Sequence, residues 1–155
     1  MNLILINIKK IVVIRMIDEI DRKILDILGN NARIPYTQIA KEVGLSEGAI
    51  RKRVAAMEEK GLIKKYVAII DPKRLGYNSI TLLGIDVEPT MLLEISNKVA
   101  KIKEAKHVFI STGDHMIMVE IWAKDGNDLS RILSRIGKIE GVKKLCPAII
   151  LEEIK

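Results

Sequence analysis

The sequence predicts an α+β protein: an N-terminal helix-turn-helix unit, followed by a ferredoxin-like βαββαβ unit. Two patterns carry this expectation. Between residues 18 and 60 apolar side chains recur at helical spacing, in segments short enough to be separate helices. From residue 79 onward, β-rich runs alternate with two helical ones. The boundaries that follow are 16–61 for the helical unit, 62–78 for a strand linker and 79–155 for the ferredoxin-like unit. Residues 1–15 remain as an N-terminal extension.

Composition bounds the function classes. The 155 residues are 48% hydrophobic and 30% charged, which describes a folded chain with enough apolar material for one or two small cores. Cys146 is the only cysteine, so neither an intrachain disulfide nor a thiolate metal cage can form, and a reducing compartment is expected. In the apolar N-terminus the longest unbroken runs, 3–6 and 11–14, fall short of the ~20 residues of a membrane span. Asn7, Lys9 and Lys10 also interrupt any secretory signal. The expectation is a cytoplasmic protein. The β-branched bias of residues 8–14 reads as an added strand or as an over-extended start, with the compact domain beginning at Met16.

The net charge of +6 is unevenly placed. Residues 1–17 carry Lys9, Lys10 and Arg15 with no acid, residues 18–78 carry 12 basic and 9 acidic side chains, and residues 79–155 carry 11 of each. Only the first half has an electrostatic reason to meet nucleic acid.

In that half, Ile20, Ile24, Ile27 and Leu28 make one helical stripe, with Asp18, Glu19 and Asp21 in the first turn and Gly29-Asn30 at the stop. Pro35 marks the start of a second helix with Ile39, Ala40 and Val43 on its inner face, ended by Gly44. Ser46 caps a third, whose inner face is Ile50, Val54 and Met57, and Gly61 ends it. The last two helices, joined through Gly44-Leu45, form a helix-turn-helix. Ser46, Glu47, Gly48, Arg51, Lys52 and Arg53 are the candidate DNA-binding residues. Gly48 permits close approach, Arg51 is able to grip guanine or phosphate with two hydrogen bonds, and Lys52 acts as a point charge. Arg53 flanks the core face, where an ion pair inside the domain competes with a DNA contact. Residues 62–71 alternate like a strand, punctuated by Asp71-Pro72 and Gly76.

The second half reads as strand 80–87, helix 91–102, strand 107–111, a turn at Thr112-Gly113-Asp114, strand 116–123, helix 128–139 capped near Asn127, and strand 142–154. Val108, Ile110, Ile117, Val119 and Ile121 oppose Phe109, Met116, Met118 and Trp122. Two apolar sheet faces imply that helices cover one and a second subunit covers the other.

These residues carry a resemblance. The run Asp18-Glu19-Ile20-Asp21-Arg22-Lys23-Ile24-Leu25, with Ala32-Arg33, Ile39-Ala40, Val43-Gly44-Leu45-Ser46, Arg51, Arg53, Gly61-Leu62-Ile63 and Asp71-Pro72 to Leu75-Gly76-Tyr77, resembles the Lrp/AsnC (feast/famine) regulators, of archaeal type. It extends from about residue 17 to the C-terminus. The resemblance implies a transcriptional regulator with a winged-helix-like N-terminal domain binding double-stranded DNA, an effector and oligomerisation domain over 79–155, a homodimer assembling to a tetramer or octamer, and an amino-acid effector. Thr112, Gly113 and Asp114 match the family's loop motif: Gly113 would offer backbone amides to an effector carboxylate and Asp114 would accept from its ammonium. The family usually continues with an aromatic and an acidic residue, where this chain has His115 and Met116.

Two other readings compete. One is an effector-independent architectural DNA-binding protein. The other is an enzyme similar to the sirohaem decarboxylases, which share both domains and use histidine and arginine near the second strand of the C-terminal domain. His107 falls in that place, but no arginine follows before Trp122. No nucleophile-base pair, metal-ligand cluster or cofactor loop appears, so no catalytic residues, metal or cofactor are expected.

Overall fold

The computed structural model describes residues 17–154, which divide between Ala68 and Ile69 into two compact units. The proposed strand in residues 1–15 lies outside the described residues.

The first unit holds α1 (Glu19–Asn30), α2 (Tyr36–Val43) and α3 (Glu47–Glu59). Its boundaries follow from local chemistry. Asp18 caps α1 reciprocally with Asp21, each carboxylate accepting the other's backbone N–H at 2.8 and 3.3 Å. Pro35 precedes α2, and Gly44 ends it at φ +72°, a left-handed conformation that costs glycine little. Ser46 caps α3 by accepting the Ala49 N–H at 3.2 Å. After Gly61, the amides of Leu62 and Ile63 both return to the Met57 carbonyl. The apolar stripes close on one core of Ile24, Leu28, Ile39, Ala40, Ile50, Val54 and Met57.

The expected strand over 62–71 does not form among the described residues. An alternating segment becomes a strand only when another edge accepts its hydrogen bonds. Here Val67 and Ile69 stand 62% and 94% exposed.

The second unit has the element order β1 (Ser79–Val87), α4 (Leu92–Ala100), β2 (Ala105–Ile110), β3 (Ile117–Ala123), α5 (Gly126–Gly137) and β4 (Val142–Ile149). The strands lie in the order β2-β3-β1-β4 with every pairing antiparallel, the ferredoxin-like arrangement. A single 3₁₀ turn, Pro89–Met91, leads into α4. Asp125, not Asn127, caps α5 by accepting the Asp128 N–H at 2.8 Å. The last strand ends at Ile149, short of the expected 154.

Strand β3 alternates strictly, with Ile117, Val119, Ile121 and Ala123 buried, and these pack with Leu83, Ile85, Ile95, Val99, Ile132 and Ile136 beneath the two helices. The opposite sheet face is not purely apolar. Leu82, Phe109, Met118 and Trp122 share it with His107, Glu120 and Asp86. Ile110, expected with the inner set, is half exposed near the strand end.

Gly84 lies on that open face. The His115 ring rests so close above it that a Cβ there would overlap ring carbon Cδ2. Gly84→Ala should therefore destabilise the protein by about 1–2 kcal/mol through this overlap. In a His115→Ala background the same substitution should cost little, a difference that denaturant unfolding of the four proteins will measure.

Candidate DNA-reading face and ligand loop

With Ile50, Val54 and Met57 fixed in the core, α3 turns Glu47, Gly48, Arg51 and Lys52 outward. Ser46 stands at its N-terminus with its hydroxyl engaged by the Ala49 amide. Gly48 faces open space, with nothing within 4 Å of where a Cβ would stand. Glu47 and Arg51, one turn apart, form an ion pair at 2.7 Å, and the Arg51 guanidinium carbon stands 5.3 Å from the centre of the Tyr36 ring at the start of α2. Lys52 makes no ion pair among the described residues. It borders a cavity of about 250 Å³ lined also by Ile17, Asp21, Arg53, Ala56, Met57, Lys60 and Leu62.

Arg53 takes a different place from Arg51 and Lys52. Its Nη1 donates to Asp18 and to Asp21, at 2.7 Å each, so it ties α3 to the capping box of α1. Backbone donation from Asp21 and the hydrogen bond from Arg53 hold the Asp18 carboxyl below its ordinary range. The two aspartates hold this guanidinium against the domain, away from the exposed Arg51 surface.

Tyr36 and Tyr66 are two participants that periodicity does not reveal. The Tyr66 hydroxyl donates to Glu58 at 2.7 Å, so the chain beyond α3 is tied back to that helix. Burial and the neighbouring carboxylate push its phenol pKa well up. The only sequence signal is aromatic: two of the chain's three tyrosines fall here.

In the second unit Thr112, Gly113 and Asp114 are exposed together in the loop between β2 and β3. Ser111 supports this loop, its N–H donating to the Met116 carbonyl at 3.0 Å and its hydroxyl to the His115 carbonyl. His115 does not join the exposed trio. It turns back onto the sheet, its Nδ1 3.1 Å from Asp86. His107 lies apart, 2.7 Å from Glu120, which also accepts from the Trp122 indole at 2.6 Å. Burial works to raise the Glu120 pKa, but the hydrogen bonds from His107 and Trp122 outweigh it and hold the carboxyl below its usual range. Among the described residues no group of three His, Cys, Asp or Glu is placed to hold a metal, and no helix is long and apolar enough to cross a membrane.

Comparison with known proteins matches residues 17–64 to a winged helix-turn-helix DNA-binding family and residues 81–155 to the Lrp/AsnC ligand binding domain. The chain is 54% identical to the HTH-type transcriptional regulator LrpA of Pyrococcus abyssi and 53% identical to that of Pyrococcus horikoshii. Each alignment spans 141 residues, 90% of this chain and all of the relative. Among solved structures, AsnC of Escherichia coli is similar with a TM-score of 0.80 at 27% identity, over 90% of this chain and 95% of that one. The fold is also shared with the feast or famine regulatory protein of Mycobacterium tuberculosis complexed with L-methionine, at a TM-score of 0.83 and 24% identity, over 90% and 95%. Fold and relatives together define a transcriptional regulator with a helix-turn-helix DNA-binding domain and a separate ligand-binding domain. The chain belongs to the Lrp/AsnC family, alongside archaeal regulators. These relatives are regulators and not enzymes, which sets the decarboxylase alternative aside.

The two arginines should separate in experiment. Arg53→Ala should lower stability modestly through loss of its hydrogen bonds to the aspartates. Because the Asp18 pKa is depressed in the folded chain, that contribution is present above its ordinary value of 3.8 and is lost as pH falls through the folded value. Unfolding followed from pH 7 down to pH 2 should show the wild type and Arg53→Ala converging at the acid end. Arg51→Ala should leave that profile close to wild type.

Proposed function

We propose that the protein binds specific sites on double-stranded DNA through the exposed face of α3, where Ser46, Glu47, Gly48, Arg51 and Lys52 meet the major groove and phosphates. Arg53 sets the helix's orientation from the other side. The observation that carries this reading is the outward Arg51, supported by an aromatic ring at the start of the neighbouring helix. We further propose that Thr112, Gly113 and Asp114 receive the carboxylate and ammonium of an amino acid, supported by their joint exposure in one loop inside the domain matched to the family's ligand-binding fold. The open, partly apolar sheet face supports pairing with a second copy in a homodimer that assembles further, to a tetramer or octamer, and the setting is the cytoplasm.

Retention of genomic fragments at several salt concentrations, with each amino acid added in turn, tests both parts. Arg51→Ala should weaken selective binding by about 1–3 kcal/mol where it reads a base, and by less where it touches phosphate alone. Unchanged affinity in that variant would remove Arg51 from the interface. Selective retention that no amino acid alters would assign the protein to the effector-independent, architectural class.

A further inference from the structure

The exposed face of α3 treats its two cations differently. Lys52 has no ion-pair partner among the described residues, whereas Arg51 is held from two sides, by the Glu47 carboxylate at 2.7 Å and the Tyr36 ring at 5.3 Å. Tyr36 is itself partly buried against the helical core, so the ring is a fixed support and not a loose side chain. Arg51 and Glu47 still have 65% and 43% of their side-chain surface exposed, so both remain able to meet a partner.

A guanidinium paired in this way is a poor general phosphate binder. A phosphate approaching Arg51 also approaches the Glu47 carboxylate, and like charges repel. A base pair is a different partner. Guanine presents two acceptors, O6 and N7, to a bidentate arginine, while cytosine presents the N4 amino donor to a carboxylate. Glu47, one turn toward the N-terminus on the same face, has only acceptors to offer. A site with guanine opposite Arg51 and cytosine opposite Glu47 satisfies both side chains without opening the pair to a like charge.

We infer that Tyr36, Arg51 and Glu47 form one reading unit that selects guanine and cytosine in the major groove and disfavours phosphate, with Tyr36 as its positioning residue. This rests on the reading of α3 as the DNA-contacting helix. It assigns Tyr36 a role in specificity, and it makes Glu47 a filter and not merely a contact. Lys52 supplies the sequence-independent attraction that the filtered arginine gives up.

The test is selection of binding sites by the full-length protein from duplex DNA with a randomised centre, followed by titration of the recovered duplex and of a scrambled duplex across a salt series. The wild type should enrich guanine and cytosine at fixed positions of each half-site. Glu47→Gln keeps the shape but removes the charge. It should bind the scrambled duplex more tightly, with a salt slope steeper by about 1, and lose the cytosine preference. Its ratio of specific to scrambled affinity should fall roughly tenfold. Tyr36→Leu, assayed well below its own melting temperature, should lower the same ratio, and Tyr36→Phe, which keeps the ring, should leave it as in the wild type. Glu47→Gln carries the test alone if Tyr36→Leu fails to fold. If Glu47→Gln leaves the base preference and the scrambled-duplex affinity as in the wild type, the inference is overturned. The double variant Arg51→Ala/Lys52→Ala separates the two levels: unaltered DNA binding there overturns the reading of α3 itself, whereas lost binding there beside an unaltered Glu47→Gln overturns only the filter.

Discussion

The contact between Arg53 and the paired aspartates of α1 governs how the helical unit meets its surroundings. The buried stripe of Ile50, Val54 and Met57 seats the 13-residue α3 on the core. One guanidinium held at 2.7 Å by Asp18 and by Asp21 adds a directional contact at the edge of that stripe. Because successive residues are about 100° apart around a helix, a side chain two positions away lies about 200° round, close to the opposite side. Fixing Arg53 inward therefore presents Arg51 outward. The same aspartates also cap α1, so the start of the first helix and the rotation of the third are set by one cluster.

The second unit solves a different problem with the same economy of residues. Its sheet is sealed on the helix side by branched aliphatic side chains and left mixed on the other, where carboxylates, imidazoles and aromatic rings satisfy one another. Glu120 takes hydrogen bonds from both His107 and Trp122, while the Lys106 ammonium stands 5.1 Å from the Trp122 ring and 5.7 Å from that of Tyr77. His115 occupies the space that Gly84 leaves and reaches Asp86. Polar groups that already have partners cost less to cover than unpaired ones, so such a face accommodates a partner's surface without stranding a charge.

The features legible in the sequence are those whose cause is local. Asp18, Ser46 and Gly44 act on residues within one turn of themselves, and their positions along the chain announce the helix ends. The inner stripes of α1, α2 and α3 follow from periodicity alone, as does the strict alternation of β3. Features that need a distant partner escape such reading. The alternation over 62–71 is real, yet it yields no strand without a second edge. Asn127 and Asp125 are both able to cap, and the choice depends on where the preceding strand releases the chain. Tyr36 meets Arg51 across two helices, and His115 meets Gly84 only after the sheet register is set. The departure at His115-Met116 from the usual loop motif gains its meaning there: the imidazole belongs to the sheet and the methionine to the core margin, which leaves Thr112, Gly113 and Asp114 as the exposed part of the loop.

The distribution of charge follows from the same division. A surface that approaches DNA gains from excess positive charge. The 12 basic and 9 acidic residues of 18–78, against 11 of each in 79–155, place that excess in the helical unit and the linker after it. Within the helical unit the separation is repeated at the scale of side chains. Arg53 is neutralised by aspartates for structure, Arg51 is tempered by one glutamate, and Lys52 makes no ion pair among the described residues. Long-range attraction to DNA needs only net charge, whereas discrimination among sequences needs groups whose hydrogen bonds are already oriented. Placing these on different side chains of one helix lets each be tuned without loss of the other.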